Sequence, residues 1–258
     1  MMVASTTLML IGCEQMDSRQ KSGWETEAFT EIYLQVRDAM PTAGLQLEVT
    51  RKILESWCPH AVRILDLGCG DGRIGRMLIE HFPNVNVVFA DFSEPMLEAV
   101  RNKTSRESRA SVIKADFSSP DWLDSVADQK PFDVIVSGLA IHHQPDRRKK
   151  ELYAEIFDVL NTQGVFLNLE IVASATPAGK AIFGSFFVDN VYRLHKAANG
   201  TRTRAQIEEE YHNRPDRKED ILAPVDEQCR WLREIGFEDV DCFFKVFQLA
   251  LFGGRKTR

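Results

Sequence analysis

Short apolar runs alternate with amphipathic stretches along most of this chain, and the alternation predicts strands separated by helices. The runs are Val62 to Leu67, Val85 to Ala90, Ser111 to Ala115, Phe132 to Ser137 and Val165 to Ile171. Between them lie stretches of helical character: Gly75 to His81, Ser93 to about Asn102, a short one begun by Pro120 and Asp121, and Pro145 to Leu160. Ser93 caps its helix and Pro95 sits in the first turn, where a missing N–H costs nothing. Asn161 to Gly164 reads as a turn into the fifth strand. Strand followed by helix, repeated, predicts a mostly parallel sheet covered on both faces.

The alternation stops at Thr176. Residues 176–224 contain no strand-like run, only an amphipathic helix over about 177–198, a break at Gly200 and a charged helix over about 203–213. We read them as a helical cap inserted after the fifth strand. The alternation resumes with a helix from Val225 to Gly236 and two strands, 238–244 and 246–252, reversing near Lys245. Upstream, Leu45 to Trp57 is a helix leading into the first strand. Before it, Trp24 to Met40 places Phe29, Ile32, Tyr33 and Val36 on one helical face, ended by Pro41 and Gly44. Residues 1–23 read as a flexible extension. Leu10-Ile11-Gly12-Cys13 is like a lipoprotein cleavage box, but no Lys or Arg precedes it, as a signal peptide requires.

Composition changes this picture little. The 258 residues are 44% apolar and 27% charged, which suits one soluble α/β domain over 24–258. A formal net charge of −6 speaks against a broad nucleic-acid surface. The five cysteines form no CxxC pair or metal-spaced set, so reduced thiols, no metal and a cytoplasmic location are expected. No run reaches the ~20 apolar residues of a membrane span.

Candidate chemistry gathers where the first strands end. Ile64-Leu65-Asp66-Leu67-Gly68-Cys69-Gly70-Asp71-Gly72 is a strand, a glycine turn and the start of a helix. Glycines there let a ligand approach the backbone, and the helix N-terminus attracts a carboxylate. Asp66, two positions before the first glycine, would repel a pyrophosphate but attract an ammonium. Asp91, followed by Phe92 and Ser93, ends the second run and can accept from ribose hydroxyls. Asp116 and Phe117 end the third, an acceptor and an apolar face suited to adenine. Ser137 and Gly138 end the fourth on the same sheet edge. Together these describe a nucleoside joined to an amino acid.

With these pieces in order, the chain resembles the class I S-adenosylmethionine-dependent methyltransferases over about residues 45–252. The matching stretches are LDLGCGDG (65–72), FADFS (89–93), KADF (114–117), FDVIVSGLAIHH (132–143), LNTQGVFLNLE (160–170) and WLREIGFEDVDCFFK (231–245). The resemblance implies a Rossmann-like, doubly wound, seven-stranded sheet closed by an antiparallel C-terminal hairpin. It also implies S-adenosyl-L-methionine as cofactor, held by Asp66, Gly68, Cys69, Gly70, Asp91, Phe92, Ser93, Asp116, Phe117, Ser137 and Gly138. Residues 24–44 would form a lid helix. A Pro-x-Tyr element common there is replaced by Pro41-Thr42-Ala43, so Tyr33 or Arg37 is the candidate for substrate contact.

His142 and His143, past the fourth strand, and Glu170, at the end of the fifth, are the catalytic candidates. The first two have helix capping as a rival role, and Glu170 has salt bridging. In the cap, Phe183, Phe186, Phe187, Val191 and Tyr192 suggest an apolar roof, with Phe186 and Tyr192 as substrate contacts. The run Arg147-Arg148-Lys149-Lys150 reads as a solvated helix face with Glu151 and Glu155 as i,i+4 partners. The expected function is methyl transfer to a small-molecule acceptor, with no nucleic-acid or membrane partner and a homodimer left open. Two alternatives stand: a tRNA-modifying enzyme using the cofactor or a carboxylated form of it, held by Arg37 or Arg193, and a non-catalytic cofactor-binding scaffold or sensor.

Overall fold

The computed structural model of the chain describes Thr26, residues 42–214, Arg217 and residues 219–257. The predicted helix over 24–40, with Tyr33 and Arg37, therefore lies outside the described residues, as does the extension over 1–23.

The elements follow the apolar pattern. They are α1 (Ala43–Trp57), β1 (Arg63–Leu67), α2 (Arg73–His81), β2 (Asn86–Asp91), α3 (Glu94–Thr104), β3 (Ala110–Lys114), α4 (Trp122–Ser125), β4 (Phe132–Gly138), α5 (Asp146–Val159) and β5 (Leu160–Ile171). The cap follows as α6 (Pro177–Ala197) and α7 (Arg204–His212), and then α8 (Val225–Ile235), β6 (Glu238–Val246) and β7 (Leu249–Lys256). The seven strands lie in the order β3-β2-β1-β4-β5-β7-β6. All neighbours among the first five are parallel, whereas β7 runs antiparallel to β5 and to β6. Chain order reverses between β1 and β4, the switch point beyond whose carboxyl ends ligands bind in such sheets.

Successive residues feed opposite faces, as pleating requires. On β4, Ile135 joins Leu152, Tyr153, Ile156 and Trp231 on one face, and Phe132, which lies before a register shift, reaches the same face. Val134 and Val136 join Leu54, Leu78, Leu97 and Phe89 on the other. Each large side chain so buried contributes about 1.5–3 kcal/mol.

Two boundaries differ from expectation. Strand β5 begins at Leu160, so the stretch Asn161 to Gly164 lies within it, because Leu160 pairs with Phe132 and a register shift follows before Val134. Asn161 Nδ2 reaches Asp133 Oδ1 at 2.6 Å across this irregularity. The final reversal lies at Phe247 and Gln248, since Lys245 and Val246 still pair with Ala250 and Leu249. Phe247 takes the left-handed conformation that turns the chain (φ 52°).

Candidate active site

A cavity of about 420 Å³ opens at the carboxyl ends of the parallel strands around the switch point. Its walls include Asp66, Gly68, Cys69, Gly70, Asp91, Phe92, Ser93, Asp116, Phe117 and Gly138, so ten of the residues singled out from the sequence meet in one hollow. Ser137 is not in the wall. It is 1% exposed, one step back along β4, and its Oγ has no hydrogen-bond partner among the described residues.

The acidic end is prepared by backbone donors. Asp91 accepts from Gly70 N–H at 2.8 Å through Oδ2 and from Ser93 N–H at 2.9 Å through Oδ1. Burial raises its carboxyl, and these donors act against that rise. Phe92 N–H acts in the same sense, and a carboxylate's roughly four acceptor positions leave room beside these three donors for a ligand hydroxyl. Asp116 stands exposed at the rim, oriented by Ser118 N–H at 2.9 Å. Asp66 accepts from Gly75 N–H, in the first turn of α2, at 2.8 Å. The carboxylate thus steadies the glycine turn and lines the cavity as well. Burial pushes the Asp66 carboxyl up to about 8, with the Asp91 and Asp71 charges adding to it. An ammonium arriving beside it would favour the ionised form. Burial likewise keeps the Cys69 sulfur as a thiol.

The glycine turn is shaped for close approach. Gly68 has φ +67°, and a Cβ there would stand 2.4 Å from the Ala140 Cβ and 3.1 Å from the Phe117 ring. Ser93 caps α3, its Oγ accepting from Met96 N–H at 3.4 Å, and lines the cavity as well.

Phe117 is held from behind by a residue that the sequence reading misplaced. Arg148 donates to Phe117 O at 2.9 Å and makes two bonds to Glu155, at 2.7 and 2.6 Å. Arg148 and Lys149 are 7% and 1% exposed, so the centre of the basic run is buried. Lys149 reaches Asp146 at 2.8 Å and also Ile221 O. Arg147, paired with Glu151 at 2.8 Å, and exposed Lys150, whose ammonium stands 4.6 Å from the Trp231 ring centroid, form the solvated face predicted. A four-residue basic run carries no sign of which side chains the helix turns inward.

The other end of the cavity is formed by Ala43, Leu47, Leu139, Leu169, His143 and Glu219. Of the three catalytic candidates, only His143 touches it. His142 lies behind, donating its backbone N–H to Glu170 Oε1 at 3.0 Å and sharing Nδ1 with Oε2 at 2.6 Å. Glu170 is 1% exposed and does not face the crevice. Burial alone would lower the His142 imidazole, but Glu170 and Asp220 override it and raise it. Burial and the His142 charge lower His143. Asp220 was not singled out from the sequence. It arrives from the cap's return segment, where Ile221 N–H donates to His142 O at 3.0 Å. With the two histidines it forms a set able to hold a metal ion, which cysteine and histidine spacing did not reveal.

The cap aromatics do not roof the cavity. Phe183, Phe187 and Val188 pack with Ile207, Tyr211 and Leu249, and Tyr192 packs against that cluster. Phe186 meets Phe247, ring centroids 6.2 Å apart. The stripe on α6 is used up by α7 and the β6–β7 reversal. Its link to the site is indirect, through Leu139 and Ala43, which touch both. Arg193 is exposed and bonds Asn190 Oδ1 at 2.9 Å, so it does not reach the cavity. Among the described residues, no helix is long and apolar enough to cross a membrane.

Residues 64–164 match the family described as methyltransferase domain. The chain is similar to a carboxy-S-adenosyl-L-methionine synthase of Nautilia profundicola, 24% identical over 83% of this chain and 86% of that protein. It is also similar to a trans-aconitate 2-methyltransferase of Variovorax paradoxus, 35% identical but over only 42% of this chain and 38% of that one. Human N-acetylserotonin methyltransferase, solved in complex with S-adenosylmethionine, shares the fold with a TM-score of 0.59 and 14% identity, over 92% of this chain and 58% of its own. The chain thus spans well under two thirds of the latter two proteins. A strand-end aspartate series around one cavity, the 3-2-1-4-5-7-6 sheet and the domain match agree. Residues 64–164 thus match a methyltransferase domain, set in the fold that the resemblance to the class I S-adenosylmethionine-dependent methyltransferases implies.

Proposed function

We propose that the chain transfers a methyl group to a small-molecule acceptor that docks between His143 and the α1 wall. One observation carries the reading: a single cavity has strand-end aspartates at one end and an imidazole among apolar side chains at the other. Its volume, about 420 Å³, falls in the range of small-molecule sites. Asp91 would hold the ribose hydroxyls, Asp116 and Phe117 the adenine, and Asp66 with the start of α2 the amino-acid end.

When bound, S-adenosylmethionine supplies a methyl already activated by positive charge on sulfur. The protein's share is to align the acceptor and exclude water. Leu139, Leu169 and Leu47 exclude water, and His143 offers a polar contact that orients the acceptor.

A second reading draws on the carboxy-S-adenosyl-L-methionine synthase, which the chain matches over most of both lengths. A carboxylated cofactor asks for a cation beside it. Among the described residues, the only arginine of the cavity wall is Arg73, and Arg193 is remote. Transfer of labelled methyl to extracted metabolites and to bulk tRNA, with mass spectrometry of the co-purified cofactor, tests both readings. Label in small molecules and an unmodified cofactor are expected. Label confined to RNA, or a carboxylated cofactor, would overturn the proposal.

A further inference from the structure

Three ligand-type side chains converge where the cap's return segment meets the loop after β4. His142 Nε2 lies 3.5 Å, and His143 Nδ1 3.7 Å, from the same oxygen, Asp220 Oδ1. One donor atom from each residue fits within a 4.8 Å span. Both separations exceed the 2.7–3.2 Å of a good N–H···O bond. They are close to the ligand–ligand edge of a tetrahedral ion, about 3.3 Å when the bonds are about 2.0–2.1 Å.

The surroundings are those of a prepared ligand set. Glu170 takes His142 Nδ1 at 2.6 Å and its backbone N–H at 3.0 Å, which fixes the ring and turns Nε2 toward Asp220. A carboxylate behind a histidine is the usual support of a metal-bound imidazole. The bond from Ile221 N–H to His142 O, with Lys149 on Ile221 O, holds Asp220 in place from its own backbone. Of the three ligand-type side chains, His143 lines the cavity, which places the cluster beside the acceptor end.

We propose that His142, His143 and Asp220 form a binding site for a zinc-type divalent cation, with one coordination position open toward the cavity. Two nitrogens and a carboxylate oxygen suit such an ion and leave the fourth position of a tetrahedron vacant. Coordination asks for an unprotonated Nε2 on His142 and Nδ1 on His143, so any proton on those two atoms passes to solvent as the ion enters. The open position would take an oxygen of the acceptor, favouring hydroxyl or carboxylate compounds. This last step alone rests on the proposed function; the ion site does not.

Cobalt(II) titration of untagged full-length protein, stripped with chelator and free of cofactor, reads the site by the visible bands of tetrahedral cobalt. One equivalent per chain, displaced by zinc, is expected. Asp220→Ala should abolish the bands. Glu170→Gln should weaken binding about 10–100-fold, as loss of an orienting partner does. Separate titration with S-adenosylhomocysteine checks that each variant is folded, with Asp220→Asn as the milder replacement. Absence of tetrahedral bands in the wild type, or unchanged bands in a folded Asp220 variant, overturns the site whatever becomes of the cofactor reading.

Discussion

The two ends of the cavity are built by different means. At the acidic end each functional group sits within the last two residues of a strand or in the turn just after it: Asp66, Gly68, Asp91, Asp116. Sheet register brings these together, so short local patterns suffice to specify them. At the acceptor end, His143 comes from a loop, Glu219 and Asp220 from the cap's return, and Ala43 and Leu47 from α1. Those segments meet only through tertiary contacts such as Ile221 N–H to His142 O. The end proposed to hold the cofactor is encoded locally, and the end proposed to take the acceptor is assembled from distant pieces.

The comparison is broken most severely at Gly68. Valine there places a Cβ 2.4 Å from Ala140 in a left-handed backbone. Cofactor affinity should fall more than about 100-fold, with about 1–3 kcal/mol of stability lost to strain. Titration calorimetry and thermal melts check this, and an affinity within tenfold of wild type would contradict it. Next is Asp91→Ala, which removes the proposed ribose acceptor and strands the Gly70 and Ser93 donors. Charge-assisted bonds of about 1.5–3 kcal/mol predict cofactor binding about 10–100-fold weaker.

His143→Ala sharpens the contrast from the other end. Methyl transfer should fall about tenfold or more while cofactor affinity stays within about twofold, since an orienting contact is lost away from the acidic rim. Equal losses in both would dissolve the distinction between the ends.

Asp66 offers a pH test. Its folded carboxyl keeps its proton up to about 8, whereas the unfolded one gives it up near 3.8. The folded state therefore binds more protons across that window, and stability falls as pH rises through it, by up to about 1.4 kcal/mol per unit. Without cofactor, Asp66→Asn should gain on the wild type between pH 5 and about 8 in thermal melts, and a flat difference would refute the account. Smallest is Phe186→Ala: about 1 kcal/mol or less of stability, with the acceptor KM unchanged, because that ring packs on Phe247 outside the cavity.

Much of this was legible in residue order. Period and turn signals predicted every parallel strand and both cap helices to within a few residues, apart from the early start of β5 at Leu160. That start depends on a register shift against β4, which no single-strand pattern carries. Ten cofactor candidates lie in one cavity wall, whereas Ser137 points elsewhere: knowing the strand end did not tell which face it presents. The His142–Glu170 bond joins strand ends whose partnership depends on the β4–β5 alignment, so their separate roles were hidden. Asp220 and Arg148 were missed for a related reason. One lies in a charged return segment, the other in a basic run, and only burial distinguishes them from their neighbours. The α6 aromatics misled because an apolar stripe does not declare what it packs against.

The central claim is that the aspartate-lined end of the cavity binds an adenosyl amino acid. Calorimetric titration of the purified chain with S-adenosylhomocysteine, alongside Asp91→Ala and with a nicotinamide dinucleotide as control, tests it most directly. The account predicts saturable heat for one site per chain, sharply weakened in the variant and absent with the dinucleotide. Heat from the dinucleotide and none from the adenosyl compound would contradict it.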